Sequence, residues 1–280
     1  MTSLRDIRQK IHTAENIKKI TQAMERVAAV HLRRNQKKVE QSAPYAKRIK
    51  ELLNQLVMHQ VKNPLLEQKI VKKTGLIIIA ADKGLSGNYN SNVLNAADQF
   101  LKNYDPINVA LIILGKKALE HYRKSKWPIH HQVDEWGGKI TFEKIKSFSE
   151  QLVSWFLDGT FDEIWLTYTH YISIMKREII VEKFLNITPI PCEDNKLLNY
   201  IQEPCGHEIL GEILPRYIST KIQSVLDEAY AAELAARIVA MQAATKNSEE
   251  MIGRLELAKN KRRQRDITRE MIEISNGANA

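Results

Sequence analysis

The sequence predicts an α/β fold in which long helices at both chain ends pair as an antiparallel coiled coil around an open central α/β domain. No glycine or proline occurs between Met1 and Ala43, and only Gly253 interrupts the segment from Arg216 to Ser275. Between these ends, short apolar runs alternate with helical patterns, which is typical of a mostly parallel sheet covered by helices.

The first segment, residues 1–62, is predicted to be one helix of the coiled coil. Pro44 is a candidate kink, and Asn63-Pro64 is expected to end the helix. Its apolar residues advance by three and four positions, as in a coiled-coil seam: Leu4, Ile7, Ile11, Ala14, Ile17, Ile20, Met24, Val27 and Val30.

The central segment, residues 74–190, is predicted to be a Rossmann-like open sheet. Two almost wholly apolar runs suit strands that are covered on both faces, and two aromatic and β-branched runs suit a hairpin or an edge pair. The predicted strands are Gly75–Ala81, Val109–Leu114, Ile164–Tyr171 and Glu178–Leu185, and the predicted helices are 92–104, 116–125 and 141–157.

The last segment is predicted to be a linker over residues 191–207 followed by the second coiled-coil helix over 208–280. Eight of the sixteen residues from Ala229 to Ala244 are alanine, which favours a close approach of two helix axes. Because the chain leaves along one helix and returns along the other, the pairing is expected to be antiparallel. The predicted seam is Ile218, Ile222, Val225, Ala229, Ala232, Ala236, Val239 and Ala243.

The positive charge is concentrated in the first quarter of the chain. Residues 1–73 carry 17 Lys and Arg against 6 Asp and Glu, whereas the net charge of the whole chain is +9. An acidic partner is therefore expected to meet the first helix. Nucleic acid, an anionic membrane surface and acidic protein segments are all candidates. The sequence has no run of 18 apolar residues and no apolar core of a signal peptide, so a cytosolic location is expected.

Local motifs do not indicate catalysis or a cofactor. The turn from Ala81 to Asn90 follows a strand and precedes a helix, but it lacks the glycine and lysine spacing of phosphate-binding loops. His130 and His131 are expected to point to opposite faces of a strand, which argues against a shared metal. Cys192 and Cys205 fit neither a zinc nor a redox motif.

A dense basic cluster lies near the C-terminus, over residues 259–265. Helical spacing distributes its side chains around the axis rather than along one face. A helix that is charged on every side suits a position inside a collar of acidic or polar partner groups.

Both ends of the chain resemble the gamma subunit of F-type ATP synthases. At the N-terminal end, the resemblance rests on residues 3–8, 20–24, 32–34 and 44–46. Near the C-terminus it is more specific, and the matching residues include Leu214-Pro215-Arg216-Tyr217, residues 235–241, Ala244-Thr245, Asn260-Lys261, Arg263-Gln264, Ile267-Thr268 and Glu270.

The resemblance implies a rotor shaft without catalytic residues or cofactors. Its partners would be three alpha and three beta subunits, an epsilon subunit and the membrane c ring, with peripheral association at the cytoplasmic face of a bacterial membrane. Arg263, Gln264 and Met24 match positions that contact beta subunits. Lys83, Tyr200 and Glu203 match the foot region, where epsilon, the c ring or the acidic lever of a beta subunit is contacted.

Two other readings remain open from the residues alone. A basic coiled-coil protein that binds nucleic acid would explain the charge, although the basic cluster lacks interleaved aromatic residues. A nucleotide-dependent enzyme would use the central domain, although the phosphate motif is missing. Departures from the family pattern, such as Lys83 in place of arginine, are compatible with a divergent paralogue.

Overall fold

The computed structural model describes residues 3–58, 71–138, 140–185 and 206–277. It confirms the predicted fold class, with a long helix at each end and a central sheet. In chain order the elements are α1 (Leu4–Met58), β1 (Thr74–Ile79), α2 (Tyr89–Leu101), β2 (Val109–Leu114), α3 (Lys116–Tyr122), β3 (Ile129–Val133), α4 (Phe142–Leu157), β4 (Glu163–Tyr171), β5 (Arg177–Leu185) and α5 (Gly206–Gly277).

The chain divides into two compact units. One consists of Met1–Ala29 with Arg237–Ala280, and the other consists of Val30–Ala236. The first unit is therefore built from α1 and α5 alone. The second contains the sheet, its covering helices and the remaining parts of α1 and α5.

The five strands form one sheet in the order β3-β2-β1-β4-β5. Strand β1 pairs in parallel with β2 and β4, and β2 pairs in parallel with β3. Strand β5 is antiparallel to β4, as the predicted hairpin requires. All six residues of β1 are buried, because helices cover both faces of the sheet.

Alternate residues of the central strands enter two separate cores. Ile77 and Ile79 pack with residues of α4 and with α5 residues between Leu210 and Ala229. Leu76 and Ile78 pack on the other face with α2 and α3. The period of two along a strand produces this division. In the unit that contains the sheet, α5 therefore covers one face of the sheet and also pairs with α1.

The predicted α1 seam is wrong after Ala14. Ile17, Ile20, Val27 and Val30 are exposed, and the buried residues are instead Thr21, Ala28, Leu32 and Asn35. The buried positions continue in steps of three and four from Ala14 through Lys18, which is polar. Neighbouring helical residues point about 100° apart, so choosing Ile17 rather than Lys18 moves most of the stripe off the interface, although Met24 stays partly buried.

The same error affects the end of the predicted α5 seam. Its positions from Ile218 to Ala236 are buried, but Val239 is only partly buried and Ala243 is exposed. The buried face continues instead through Ile238, Met241 and Ser248. Polar residues again occupy part of the true interface, so an apolar pattern alone could not follow it.

Candidate functional site

The two helices of the smaller unit are joined by polar side chains. Lys18 Nζ lies 2.8 Å from Glu249 Oε1, and the hydroxyl groups of Thr21 and Thr245 are 2.7 Å apart. Farther along, the Gln242 amide donates to Glu25 at 2.9 Å. Positions on α5 fall as those on α1 rise, so the pair is antiparallel, as predicted.

The sequence-predicted residue Met24 lies beside these links and is partly buried. Its neighbour Glu25 accepts the hydrogen bond from Gln242. This hydrogen bond holds α1 against α5 next to Met24. Met24 is thus neither fully covered by the helix pair nor fully exposed.

Arg263 and Gln264 lie on the exposed surface of α5. Within the described part of the chain, Arg263 has no ion pair, whereas Arg262 pairs with Asp266 at 3.1 Å. The Gln264 carbonyl accepts the Thr268 hydroxyl at 2.9 Å, which is an ordinary helix contact. Both predicted side chains can therefore reach a partner without first breaking an internal ion pair.

The end of α5 continues beyond the start of α1. The register of the Lys18 and Thr21 links places Leu4 opposite about Arg262, so residues after Asp266 have no α1 counterpart within the described ranges. Every side chain from Ile267 to Ile274 is exposed. The exposed set includes four large apolar residues: Ile267, Met271, Ile272 and Ile274.

The turn after β1 is organised by Asp82, which the sequence reasoning missed. Its carboxylate accepts the backbone N–H groups of Lys116 at 3.2 Å, Glu135 at 3.1 Å and Gly137 at 3.4 Å. It thereby ties together the loops that follow three neighbouring strands. The predicted contact residue Lys83 is exposed beside it. An aspartate shortly after a buried strand and two residues before a glycine was the available signal.

Residues of α5 occupy the crevice where α/β sheets commonly bind ligands. That position lies beyond the carboxyl ends of β1 and β4, where the strand order reverses. Here Ala232 and Ala236 of α5 pack with Ala81 and Tyr89. The Tyr89 hydroxyl donates to the Ala229 carbonyl at 3.2 Å, which pins α5 to the start of α2.

His130 and His131 do not face opposite sides, contrary to the prediction. A β-bulge at this point of β3 leaves His130 outside the regular pairing with β2. Both imidazole rings consequently contact Trp155, with ring centroids 4.7 and 5.3 Å away. Burial lowers the pKa of His131, and the nearby His130 lowers it further. The pair serves in aromatic packing.

The described ranges contain neither a cluster of metal ligands nor a membrane-spanning helix. No group of three His, Cys, Asp or Glu side chains there could hold a metal ion. No helix in the same ranges is long and apolar enough to cross a membrane. The predicted contact residues Tyr200 and Glu203, together with Cys192, Cys205 and the proposed end of the first helix at Asn63-Pro64, lie outside the described residues.

A buried carboxylate joins α1 to α5 in the larger unit. Asp227 is only 8% exposed, and its Oδ1 lies 3.2 Å from Lys38 Nζ. The Asn35 amide donates to the Asp227 carbonyl at 2.6 Å, whereas Asp227 Oδ2 is buried without a hydrogen bond. Burial raises the pKa of Asp227, the Lys38 ammonium opposes that rise, and Glu228 adds to it.

Replacing Asp227 with Asn is expected to stabilise the chain by roughly 1 kcal/mol at pH 7, because the native carboxylate is ionised at a cost. Because the native pKa of Asp227 is raised, its protonated carboxyl group contributes stability. That contribution is fully present below the unfolded pKa of 3.8 and is lost as pH rises through the native pKa. The advantage of Asp227→Asn should therefore shrink on acidification toward pH 4. Urea unfolding at several pH values measures it.

The exposed Asp134 provides the matched control. Asp134→Asn is expected to change stability by less than about 0.5 kcal/mol at any of these pH values. A clear loss of stability in Asp227→Asn at pH 7 would show instead that the contact with Lys38 outweighs the burial of the charge.

Comparisons with known proteins agree over nearly the whole chain. The profile of a protein family described as ATP synthase matches residues 3–280. The ATP synthase gamma chain of Protochlamydia amoebophila is 50% identical over 281 aligned residues, covering 99% of each chain. That of Desulforamulus reducens is 34% identical, covering 100% of this chain and 99% of the relative.

Solved structures show the same fold at low identity. A chain in the central stalk and c-ring structure of the Tetrahymena thermophila mitochondrial ATP synthase has a TM-score of 0.63 at 19% identity, covering 80% of this chain and 99% of that one. A chain in the Euglena gracilis mitochondrial ATP synthase structure of OSCP, F1 and c-ring has a TM-score of 0.63 at 16% identity, covering 98% and 94%.

Proposed function

Because this chain belongs to the ATP synthase gamma-chain family, we propose that it is the central rotor shaft of an F-type ATP synthase. It couples ion flow through the c ring to conformational cycling of the beta subunits. Its partners are three alpha and three beta subunits, epsilon and the c ring. The reported relatives are all ATP synthase gamma chains and lend no support to the nucleic-acid-binding alternative.

The observation that carries the proposal is the exposed end of α5. Its last turns have no α1 counterpart in the described ranges, yet they present Ile267, Met271, Ile272 and Ile274 to solvent. A single helix of this length is marginally stable in water, and exposed apolar clusters usually mark an interface. A ring of partner subunits around this end would cover these side chains and support the helix.

The helix pair supports a mechanical role. Side-chain links between α1 and α5 hold the two helices in one register, so that a torque applied to one is shared by the other. Rotation presents a different surface of the shaft to each catalytic subunit, and each contact favours one conformation through its differential interaction energy. Exposed polar contacts worth about 0 to 1 kcal/mol can break and re-form as the shaft turns.

The assignment of contact residues extends this proposal to single side chains. Arg263 and Gln264 contact a loop of a beta subunit, and Met24 faces a beta subunit from α1. Lys83, Tyr200 and Glu203 belong to the foot region, which contacts epsilon, the c ring or the acidic lever of a beta subunit. The exposure of Arg263, Gln264 and Lys83 supports the first and third of these assignments.

The chain takes no part in ATP chemistry in this proposal. The filling of the β1–β4 crevice by Ala232 and Ala236 supports this, because nucleotides bind at that position in related sheets. ATP synthase is a membrane-bound complex, and this subunit is placed peripherally at the cytoplasmic face of a bacterial plasma membrane, reached only through the other subunits.

Reconstitution tests the proposal. Mixed with alpha and beta subunits of the same enzyme, the chain is expected to form a stable complex that hydrolyses ATP, whereas the chain alone hydrolyses none. Replacing Arg263 and Gln264 together with alanine should lower the hydrolysis rate about tenfold, because two polar contacts that change during rotation are removed. Size-exclusion chromatography and a phosphate-release assay measure assembly and rate.

Arg123→Ala is the control for these substitutions, since Arg123 is an exposed arginine at the end of α3, far along the chain from the α5 tip. It should leave the rate within twofold of wild type. An unchanged rate in the double variant would remove the assigned role of Arg263 and Gln264. Failure of the chain to join alpha and beta subunits would contradict the rotor function itself.

A further inference from the structure

A small cavity lies between three elements of the larger unit. Its walls are α1, the loop between β3 and α4, and α5. Its volume of about 270 Å³ is below the range of pockets that hold drug-sized ligands. An inorganic ion with a few water molecules fits a cavity of this size, whereas a nucleoside does not.

The α1 wall of the cavity supplies basic groups. His31, Arg34 and Lys38 are exposed, and their spacing of three and four residues places them on one face of the helix. Among the described residues, Arg34 forms no ion pair. Lys38 donates to Asp227 Oδ1 at 3.2 Å, which uses one of the three N–H groups of its ammonium. This wall therefore attracts an anion.

The α5 wall supplies a buried carboxylate oxygen that has no partner. Asp227 lines the cavity and is more than nine-tenths buried. Its Oδ1 accepts from Lys38, but its Oδ2 is buried without a hydrogen bond. Because an ionised carboxylate only accepts hydrogen bonds, Oδ2 requires a donor that the described residues do not supply. A ligand that enters this cavity can supply it.

The third wall has a fixed backbone. Gly138 has a φ of 68°, and a Cβ atom there would lie 2.5 Å from Tyr230 Cζ, so this part of the loop packs directly on the Tyr230 ring. Trp136 is held by the hydrogen bond from its indole to the Ala80 carbonyl at 2.7 Å. Walls that are already ordered lose little conformational entropy when a ligand binds.

The combination of free cations with an unpartnered carboxylate selects among anions. Arg34 and Lys38 attract any anion, but the ligand atom that faces Asp227 Oδ2 must carry a proton. Hydrogen phosphate at pH 7 has a proton on one oxygen and negative charge on the others. Sulfate has no proton at this pH, and neither has an ionised Asp or Glu of another protein, so Asp227 repels both.

We propose that this cavity is a binding site for inorganic phosphate. Asp227 Oδ2 accepts the hydrogen bond from the P–OH group, and Arg34 and Lys38 donate to the unprotonated oxygens. Bound phosphate bridges α1 to α5 and stabilises the unit that contains the sheet, because it binds the folded chain alone. The site goes beyond the rotor function and does not depend on it, since binding is measured on the chain without other subunits.

Calorimetric titration of the full chain at pH 7 tests the choice of ligand. Phosphate is expected to bind at one site, about tenfold more tightly than sulfate or acetate, because only phosphate brings a donor to Oδ2. Equal affinities for phosphate and sulfate would overturn the proposal, and so would the absence of phosphate binding at millimolar concentrations. ADP binding as tightly as phosphate would also overturn it, because the ligand would then be a nucleotide.

Asp227→Asn tests the selecting oxygen in a variant that is expected to fold. Its amide can donate to an unprotonated oxygen, so the preference for phosphate over sulfate should fall from about tenfold to less than about twofold. Asp134→Asn, at an exposed position that does not line the cavity, should keep the full preference. A preference that survives in Asp227→Asn would contradict the proposal.

Two neighbouring arginines distinguish a defined site from general attraction to a basic helix. Arg34→Ala is expected to weaken phosphate binding about tenfold, because charge-assisted hydrogen bonds to the ligand are lost. Arg33 is also exposed but does not line the cavity, so Arg33→Ala should leave the affinity within about twofold of wild type. Equal losses in the two variants would show that phosphate is attracted by the helix as a whole, and would overturn the site.

Discussion

Replacing Gly115 with alanine is expected to destabilise the unit that contains the sheet by about 4 kcal/mol or more. Gly115 lies between β2 and α3 with a φ of 103° and a ψ of 139°, a conformation that is essentially restricted to glycine. A Cβ atom there would lie 2.0 Å from the Ala80 carbonyl oxygen and 2.9 Å from Trp136 Nε1. Backbone cannot move aside as a flexible side chain can.

The clash would also reach a buried hydrogen bond. Trp136 is 1% exposed, and its Nε1 donates to the same Ala80 oxygen at 2.7 Å. Displacing that oxygen would leave a buried indole N–H without its acceptor. Because Asp82 also contacts the loop around Trp136, the turn of Lys83 and Leu85 is expected to become mobile in the variant.

Gly159→Ala separates the steric effect from the conformational one. Gly159 also has a positive φ, 74°, but an added Cβ would meet nothing within 4 Å. Its replacement is therefore expected to cost only about 1 kcal/mol. Urea unfolding followed by tryptophan fluorescence measures both variants. Similar losses in the two variants would show that the close approach to Ala80 relaxes easily.

Four of the five strands could be predicted closely because apolar or β-branched composition sets them apart from the segments around them. Val109–Leu114 was located without error, and the β4–β5 hairpin to within one residue, since apolar or β-branched runs bounded by polar turns have few alternatives. For the edge strand β3, the sequence predicts only that His130 and His131 lie on a strand, without its bounds. The strand is short and alternates between partly buried and exposed residues, so its composition resembles that of a polar loop.

The candidate site was less accessible to sequence reasoning. The charge around the end of α5 predicts that Arg263 and Gln264 are exposed. The filled crevice could not be predicted, because Ala232, which covers Ala81, lies more than a hundred residues later in the sequence. The bulge that brings His130 and His131 to one side of β3 depends on pairing with β2. Such long-range contacts leave little trace in the local pattern.

The α1–α5 register illustrates the limit most clearly. An apolar stripe predicts a helical face, but Lys18 and Thr21 show that polar residues can occupy the interface when they find partners on the other helix. From Ala14 onward, the apolar residues Ile17 and Ile20 lie on a different face and remain exposed. The apolar stripe and the true interface of α1 can be distinguished only when its partners on α5 are known.

Substitutions at two alanines of α5 test which residues form the true interface. Both Ala232 and Ala243 belong to the seam that the sequence predicts, but Ala232 is fully buried while Ala243 is exposed. Ala232→Leu is expected to destabilise the chain by about 3 kcal/mol, because three added carbon atoms must enter a close-packed site beside Ala81 and Tyr89. Displacing Tyr89 would also weaken its hydrogen bond to Ala229.

Ala243→Leu, on the same helix, is expected to change stability by less than about 0.5 kcal/mol, since leucine and alanine both favour helices and the side chain points to solvent. Thermal unfolding followed by circular dichroism compares the two variants. In the assembled complex, Ala232→Leu should also reduce coupled ATP hydrolysis if the close fit of α5 against the sheet transmits torque. If Ala243→Leu lost more stability than Ala232→Leu, the seam predicted from the apolar pattern alone would be correct.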